Sequence, residues 1–471
     1  MKKEDRQTQL NQDFLRRVSF MRKVFLSFLG TNDYLPCNYQ IAGHDPVANV
    51  RFVQEACIAR WCVDWGSDDR IFLCVTDESH DRNWVDNGHK DKGGNIPERQ
   101  GLASRLEGLH LAAPVKPVMV PAGRSEEEIW EIFERVFFLL EEGDQLYLDI
   151  THAFRSLPML AMVILSYAKV MRTVSVRAIS YGALEALGSV GDVINLPVEE
   201  RNVPVFDLLP FDRLQDWVTA VDRFTATGDG KMIRQLSDQD IGPLLSATKG
   251  KHADAAAIRN LGKALTEFSE AVATCRGRSI SDCSTNLLRT LGKAQNQETV
   301  KPLRPLLHKL VPALAAFTGR EITDGLAAAR WCLDHSLYQQ GYTILQETII
   351  TCIVNTAIDR DGRERTDREL VNQAVKILKN DLPVERWKAL AQDNRETTEK
   401  ILDWLANSPD IVENMHKLSN IRNDLNHAGQ NEGPMKADAI HHSLGEYIDK
   451  MEHALADVYG TNACGEEGAH Q

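Results

Sequence analysis

The apolar pattern of this chain changes once, near Phe211, and that change limits what the chain can fold into. Up to about residue 210, short apolar runs alternate with longer segments of helical period. The runs Lys23–Leu29, Arg70–Thr76, Lys116–Val120, Gln145–Thr151 and Val174–Tyr181 are nearly continuous, as expected for strands covered on both faces of a parallel sheet. Between them the spacing predicts helices over Ala48–Trp61, Arg99–Leu111, Glu126–Glu142 and Leu157–Met171. Ser125 ahead of three glutamates is a natural N-cap. This rhythm implies a doubly wound, Rossmann-like α/β domain with right-handed crossovers, closed by a terminal hairpin from Asp192–Pro197 and Val203–Leu208. Beyond Phe211 helical periodicity dominates. The expected class is therefore α/β plus all-α: an α/β domain over 1–210, a helical connector over 211–325, a helical domain over 326–458 and a flexible tail over 459–471. The polar, glycine-rich stretch Asp77–Ile96 reads as a mobile surface insertion.

Lys and Arg total 54 against 67 Asp and Glu, a formal net charge of −13. That balance argues against a protein that coats nucleic acid nonspecifically, while leaving room for a basic cleft that holds one short strand. The N-terminus lacks the apolar core of a signal peptide, and the run from Leu157 to Ala168 is too short to span a bilayer. The nine cysteines are odd in number, irregularly spaced and without a C-x-x-C, so neither a disulfide framework nor a zinc site is indicated. His441, His442 and Glu446 form the nearest approach to a metal-ligating cluster and read as a solvated helix face, so no metal site is expected. A cytoplasmic protein is expected.

In an open doubly wound sheet, ligands bind beyond the carboxyl ends of the strands where strand order reverses. The loops after the first and fourth expected strands flank that point: Gly30-Thr31-Asn32-Asp33-Tyr34 and Thr151-His152-Ala153-Phe154-Arg155-Ser156. Ser156 is the expected N-cap of the helix that follows, where free N–H groups and the Arg155 guanidinium suit an anion. Asp149, Thr151, His152 and Arg155 equally suit a satisfied polar network at a strand end, and the residues alone leave both readings open. No P-loop occurs, and no G-x-G-x-x-G follows the first strand.

The segments FLSFLGTNDYLPCNY (25–39), LYLDITHAFRSLPML (146–160) and ISYGALEA (179–186) resemble a family of type III CRISPR accessory proteins that join a CARF (CRISPR-associated Rossmann-fold) domain to a HEPN ribonuclease domain. The family motif D-x-T-H-G-F-R-S-L-P matches Asp149 to Pro158 at nine of ten positions, with Ala153 in place of glycine. The resemblance implies that the N-terminal domain senses a cyclic oligoadenylate, most simply a tetra-adenylate, through Gly30, Thr31, Asn32, Asp33, Tyr34, Thr151, His152, Phe154, Arg155 and Ser156. No other cofactor is implied.

HEPN ribonucleases resemble one another chiefly in R-x-x-x-x-H on a helix. This chain has three such pairs: Arg105–His110, Arg330–His335 and Arg422–His427. The first lies in the α/β half, and the second encloses Trp, Cys and Leu, as a packing segment would. The third reads R-N-D-L-N-H-A-G and follows a helical run near the C-terminus. At about 100° per residue, Arg422 and His427 lie roughly 140° apart and flank one face, with Asn423 and Asn426 each one turn from a partner. The bare alternative is a surface helix end capped by Gly429. The resemblance implies catalysis by Arg422, His427, Asn423 and Asn426 without a metal. In that chemistry the 2′-OH of RNA attacks the adjacent phosphate, His427 moves protons and Arg422 stabilises the charged phosphorane. Glu347, on the segment Tyr338–Thr356, would support the site or simply form a salt bridge.

The expected protein is thus a homodimeric or higher-order endoribonuclease, activated by cyclic oligoadenylate, that cuts single-stranded RNA and spares DNA. A rival from another class is a cyclic-oligoadenylate-binding regulator whose helical half only dimerises or docks a partner. A third reading has the α/β half degrade its own activator, with Thr151, His152 and Ser156 as the groups involved.

Overall fold

A computed structural model describes residues 21–90, 94–152, 157–295, 303–430 and 432–463. The chain divides into two compact units between Arg213 and Leu214.

The first unit is built on an eight-stranded sheet among the described residues, in the order β3-β2-β8-β7-β6-β1-β4-β5. The strands are β1 (Lys23–Phe28), β2 (Cys37–Ile41), β3 (Val47–Val50), β4 (Arg70–Val75), β5 (Val115–Met119), β6 (Gln145–Asp149), β7 (Ser175–Gly182) and β8 (Asn202–Asp207). β1 and β4 are almost wholly buried because they lie centrally and helices cover both faces. Val24, Leu26 and Phe28 enter one core with α3 (Glu126–Leu139) and α4 (Leu157–Arg172). Phe25 enters the other, with α1 (Val53–Trp61) and α2 (Leu102–Glu107). Pro117, which has no N–H to donate, sits in β5 at the sheet edge, where strands tolerate it. Ser125 caps α3 as expected, its hydroxyl accepting from the Glu128 N–H at 3.2 Å.

From β1 the chain first runs to β2 and β3 at the far edge, then comes back to β4 and β5 on one side of β1, and crosses to the other side of β1 for β6 and β7. β1 is parallel to both β4 and β6, and Ser27 lies in register with Asp149. The order therefore reverses between β1 and β6, and the loops that follow these two strands share one edge of the sheet.

Several expectations need correction. The sheet is mixed: β7 and β8 are antiparallel, as are β2 and β3, while β2 runs parallel to β8. The expected helix Ala48–Trp61 starts only at Val53, because 47–50 is taken up as β3 against β2. The expected helix over 99–111 is confined to Leu102–Glu107, and His110 adopts a left-handed φ of 50°. The terminal hairpin does not form. Ser189 and Asp192 make a capping box that turns Val190–Ile194 into a helix, and β8 inserts between β7 and β2 instead.

The stretch 77–96 is no loose insertion among its described residues. Thr76 and Ser79 form a capping box that starts a short helical turn, and His80–Trp84 continues it as a π-turn with Asn83 fully buried. The chain then folds back so closely that a Cβ on Gly88 would lie 2.2 Å from the Asp81 carbonyl oxygen.

The second unit is helical. One core gathers α5 (Leu209–Thr227, from Trp217 on), α6 (Ala253–Ala273), α7 (Gly277–Gln295), α8 (Arg304–Leu314) and part of α9 (Glu321–Asp334). The other gathers α10 (Tyr338–Ile358), α11 (Arg365–Lys379), α12 (Arg395–Ala406), α13 (Pro409–Asn426) and α14 (Ala437–Ala463). α9 serves both cores, with Ala328, Trp331 and Cys332 in the first and Ala329 in the second. α14 runs past the expected start of the tail at Tyr459, and residues 464–471 lie outside the described residues. Among the described residues, no helix is long and apolar enough to cross a membrane.

Candidate functional site

The sheet edge beyond β1 and β6 is organised by a buried carboxylate. Asp149, at the end of β6, accepts from the hydroxyls of Ser27 (2.6 Å), Thr151 (2.5 Å) and Ser180 (3.3 Å). Burial pushes its carboxyl above the usual range, and these three donors oppose that rise. The Thr151 hydroxyl also accepts from the Gly182 N–H at 2.8 Å, which ties the loop after β6 to β7. Asp149, Ser27, Ser180 and Thr151 are therefore a satisfied polar network.

His152 lies outside that network. Its ring sits against Tyr34 with centroids 4.2 Å apart, while its Nε2 is buried with no hydrogen-bond partner among the described residues. Burial brings its pKa down to about 4, so the ring is neutral at ordinary pH. Tyr34 also packs edge-on against Phe52, and burial raises the pKa of its phenol. Gly30 has no room for a side chain, because a Cβ there would lie 2.2 Å from the Tyr34 hydroxyl. The two loops thus present an aromatic pair at one edge. Phe154, Arg155 and Ser156, with Ala153, lie outside the described residues.

The sequence reading missed what holds the first loop. The Asn83 amide donates to the carbonyls of Gly30 and Asn32, both at 2.9 Å, and its oxygen meets His89 Nε2 at 3.0 Å. Arg82 donates to the Thr31 carbonyl at 3.3 Å, and Arg51 to the Tyr34 carbonyl at 3.1 Å. Asp33 accepts from Arg51 and Arg99, each at 2.9 Å. Burial alone would raise the Asp33 pKa, but Arg99, His89 and Arg51 outweigh it and hold the carboxyl below its usual range. For His89 burial lowers the pKa; Asp33 opposes this and the nearby guanidiniums add to it, leaving the imidazole below its ordinary value. The one sequence signal was Asn83-Trp84, a buried amide beside a large aromatic within a stretch otherwise read as solvent-loving.

The neutral His152 carries a pH signature. The unfolded chain takes up its proton near pH 6.5, the folded chain only near pH 4, so stability falls as pH drops through that window and levels off below it. Asp149, with its raised pKa, acts in the opposite direction. His152→Phe keeps an aromatic ring beside Tyr34 and is expected to flatten the fall. Urea midpoints of both proteins between pH 4 and 7 check this, and an unchanged slope would refute it.

In the helical unit, α13 ends at the R-N-D-L-N-H sequence. The Arg422 guanidinium donates from Nη1 to Glu347 at 3.1 Å, while its Nε is buried without a partner among the described residues. Glu347, on α10, also receives Arg368 of α11, which further bonds the Glu347 and Gly362 carbonyls and the Thr351 hydroxyl. Glu347 thus bridges two guanidiniums, a pair the sequence reading half anticipated without Arg368. His427 is the C-cap, with φ −93° and ψ 12°, so the ideal helical wheel holds only to Asn426. Ala428 (φ 54°) and Gly429 (φ 69°) then turn left-handed, and the Gly429 N–H donates to the Asp424 carbonyl. His427 and Asn423 are exposed, and Asn426 accepts from Gln339 at 3.1 Å.

The other two spacings are used differently. Arg105 pairs with Glu55, and His110 lies beyond the helix end. Arg330 pairs with Asp449 and Glu452, while His335 stacks on Trp331 and meets the Trp331 and Thr225 carbonyls. His441 packs near Tyr338, and His442 meets the Asp438 carbonyl.

No family model matches the chain. It is 28% identical over 237 residues to the CRISPR-associated protein MJ1674 of Methanocaldococcus jannaschii. The matched stretch covers 49% of this chain and only 33% of that protein. The likeness supports a place among CRISPR-associated proteins.

Proposed function

We propose that this protein is a CRISPR-associated endoribonuclease that cyclic oligoadenylate activates. In this reading the first unit is the CARF sensor and the helices of 326–458 form the HEPN domain, joined by the connector 211–325. The protein works in the cytoplasm as a homodimer. The observation that carries the catalytic part is the end of α13, where a fixed guanidinium with an unbonded, buried Nε precedes an exposed imidazole by five residues. The side chains that α4 and α3 leave exposed, among them Met159 (77%), Val170 (82%) and Phe138 (68%), support self-association.

In this mechanism the 2′-OH of single-stranded RNA attacks the neighbouring phosphorus and the 5′-oxygen leaves. His427 transfers a proton, its exposure giving RNA direct access. Arg422, its orientation fixed by Glu347, stabilises the charge on the phosphorane. Asn423 and Asn426 orient the imidazole or a phosphate oxygen. A two-fold dimer would bring two such helix ends together. At the sheet edge, Gly30, Thr31, Asn32, Asp33, Tyr34, Thr151, His152, Phe154, Arg155 and Ser156 receive the ring, with Tyr34 and His152 offering stacking surface to adenine.

The rival reading, a regulator without catalysis, draws on the same ion pairs: a guanidinium neutralised by Glu347 is also what a purely structural helix end would show. Labelled RNA incubated with and without each cyclic oligoadenylate separates the two. Cleavage only with activator, persisting in EDTA and giving 2′,3′-cyclic phosphate ends, is the expected result. Activator binding with no cleavage would favour the regulator.

A further inference from the structure

The loop after β1 carries a carboxylate between two guanidiniums, and their geometry is asymmetric. Arg99 reaches both Asp33 oxygens at 2.9 Å through Nη1 alone, so among the described residues no partner is seen for its Nε and Nη2. Arg51 reaches Asp33 through Nη2, while its Nε and Nη1 bond the Tyr34 and Gln100 carbonyls. The Asp33 and Arg99 side chains are each 44% exposed, whereas Arg51 is 11% exposed, so the pair faces solvent on one side and is anchored on the other. Arg82, tied to Glu78, and the His89 imidazole stand beside them. Asp33 is thus one carboxylate held between two guanidiniums, at the point where strand order reverses. Guanidinium offers two parallel N–H donors to a phosphate but is poorly used by a carboxylate that takes one nitrogen.

We propose that Arg51 and Arg99 are the phosphodiester-binding pair of this edge, and that Asp33 is not a ligand contact but the internal anion that competes with a ligand phosphate for them. The competition sets a threshold: a phosphate must outbid Asp33 for the guanidinium donors and tolerate its charge, so only a ligand with several well-placed phosphates gains the site. The proposal rests on reading this edge as a nucleotide-ligand site, and it reassigns Asp33 within that reading.

The test uses the full chain, three variants and two probes: cyclic tetra-adenylate and inorganic pyrophosphate. Arg99→Ala should weaken both by about tenfold or more, the scale of a lost charge-assisted pair. Arg99→Lys, which keeps the charge but loses the fork, should fall between. Asp33→Asn keeps the shape and one acceptor and should tighten both probes by about threefold or more, since a charge repelling phosphate is gone. Thermal unfolding of each variant shows that the fold is retained. Weaker ring binding in Asp33→Asn would mean that the carboxylate holds the ligand itself and would overturn the proposal. So would unchanged affinity in Arg99→Ala. If pyrophosphate follows the expected pattern while the ring does not bind at all, the anion site stands and the oligoadenylate reading fails.

Discussion

His427→Ala is expected to reduce activated RNA cleavage by about 100- to 10,000-fold, the range for removing a proton-transfer group. Activator affinity should stay near that of the parent protein. The fold should be retained, because the backbone N–H of residue 427, which bonds the Asn423 carbonyl at 3.0 Å, survives the change and the side chain is exposed. Arg422→Ala should lose activity on a similar scale, and Arg422→Lys should not restore it, since Glu347 receives a planar guanidinium there. His110→Ala should leave cleavage unchanged. His335→Ala should cost stability through the lost stacking on Trp331 while sparing the chemistry. End-group analysis of the products and a single-turnover rate measure these effects. Full activity in His427→Ala would mean that the end of α13 is only a helix end.

The second large effect concerns stability. Asn83→Ala removes the buried donor that serves two backbone carbonyls of the loop after β1, those of half-buried Gly30 and exposed Asn32, and the acceptor that His89 meets. Leaving a buried polar group unpaired costs about 1–3 kcal/mol, and because water can reach the exposed Asn32 side, a loss of about 1–2 kcal/mol is expected for the first unit. Asn83→Asp, nearly the same shape, should be no better, because it turns a donor toward two carbonyls into a third acceptor. Hydrogen exchange should show residues 29–34 opening first. Unchanged exchange in that loop would mean that 77–90 does not brace it.

Much of the first unit was legible because central strands advertise themselves. KVFLSF and RIFLCV have no alternative use for so many consecutive apolar residues, and both are strands. CNYQI and VANV were illegible for the opposite reason. They are short and partly polar, and they become strands because β8 and a hairpin partner supply their hydrogen bonds. The same blindness hid the bracket around the loop after β1: Arg51, Asn83 and Arg99 are 17 to 66 residues from the loop residues they hold, and no local pattern records such pairings. At α13 the helix and a left-handed turn at Gly429 were readable, but the cap itself is His427 and Ala428 is the first left-handed residue, while Glu347 as an ion-pair group was suggested only by the resemblance of its segment to a HEPN helix. Arg368 was not, because only packing of α11 against α10 brings it there.

The position of β8 has a consequence for how the chain acquires its structure. Val203 and Val205 pair with Tyr39 and Ile41, so one side of the sheet joins segments more than 160 residues apart, whereas β1, β4 and β5 are joined over far shorter stretches. Bringing distant segments together carries a loop-closure cost that slows their pairing. During synthesis the β2–β3 hairpin must wait, its edge unpaired, until residue 207 has left the ribosome. The loop between β1 and β2 gains its final fixed end only then. A chain arrested before β8 should therefore hold a half-sheet, with one sticky edge and the loop after β1 not yet fixed at its far end.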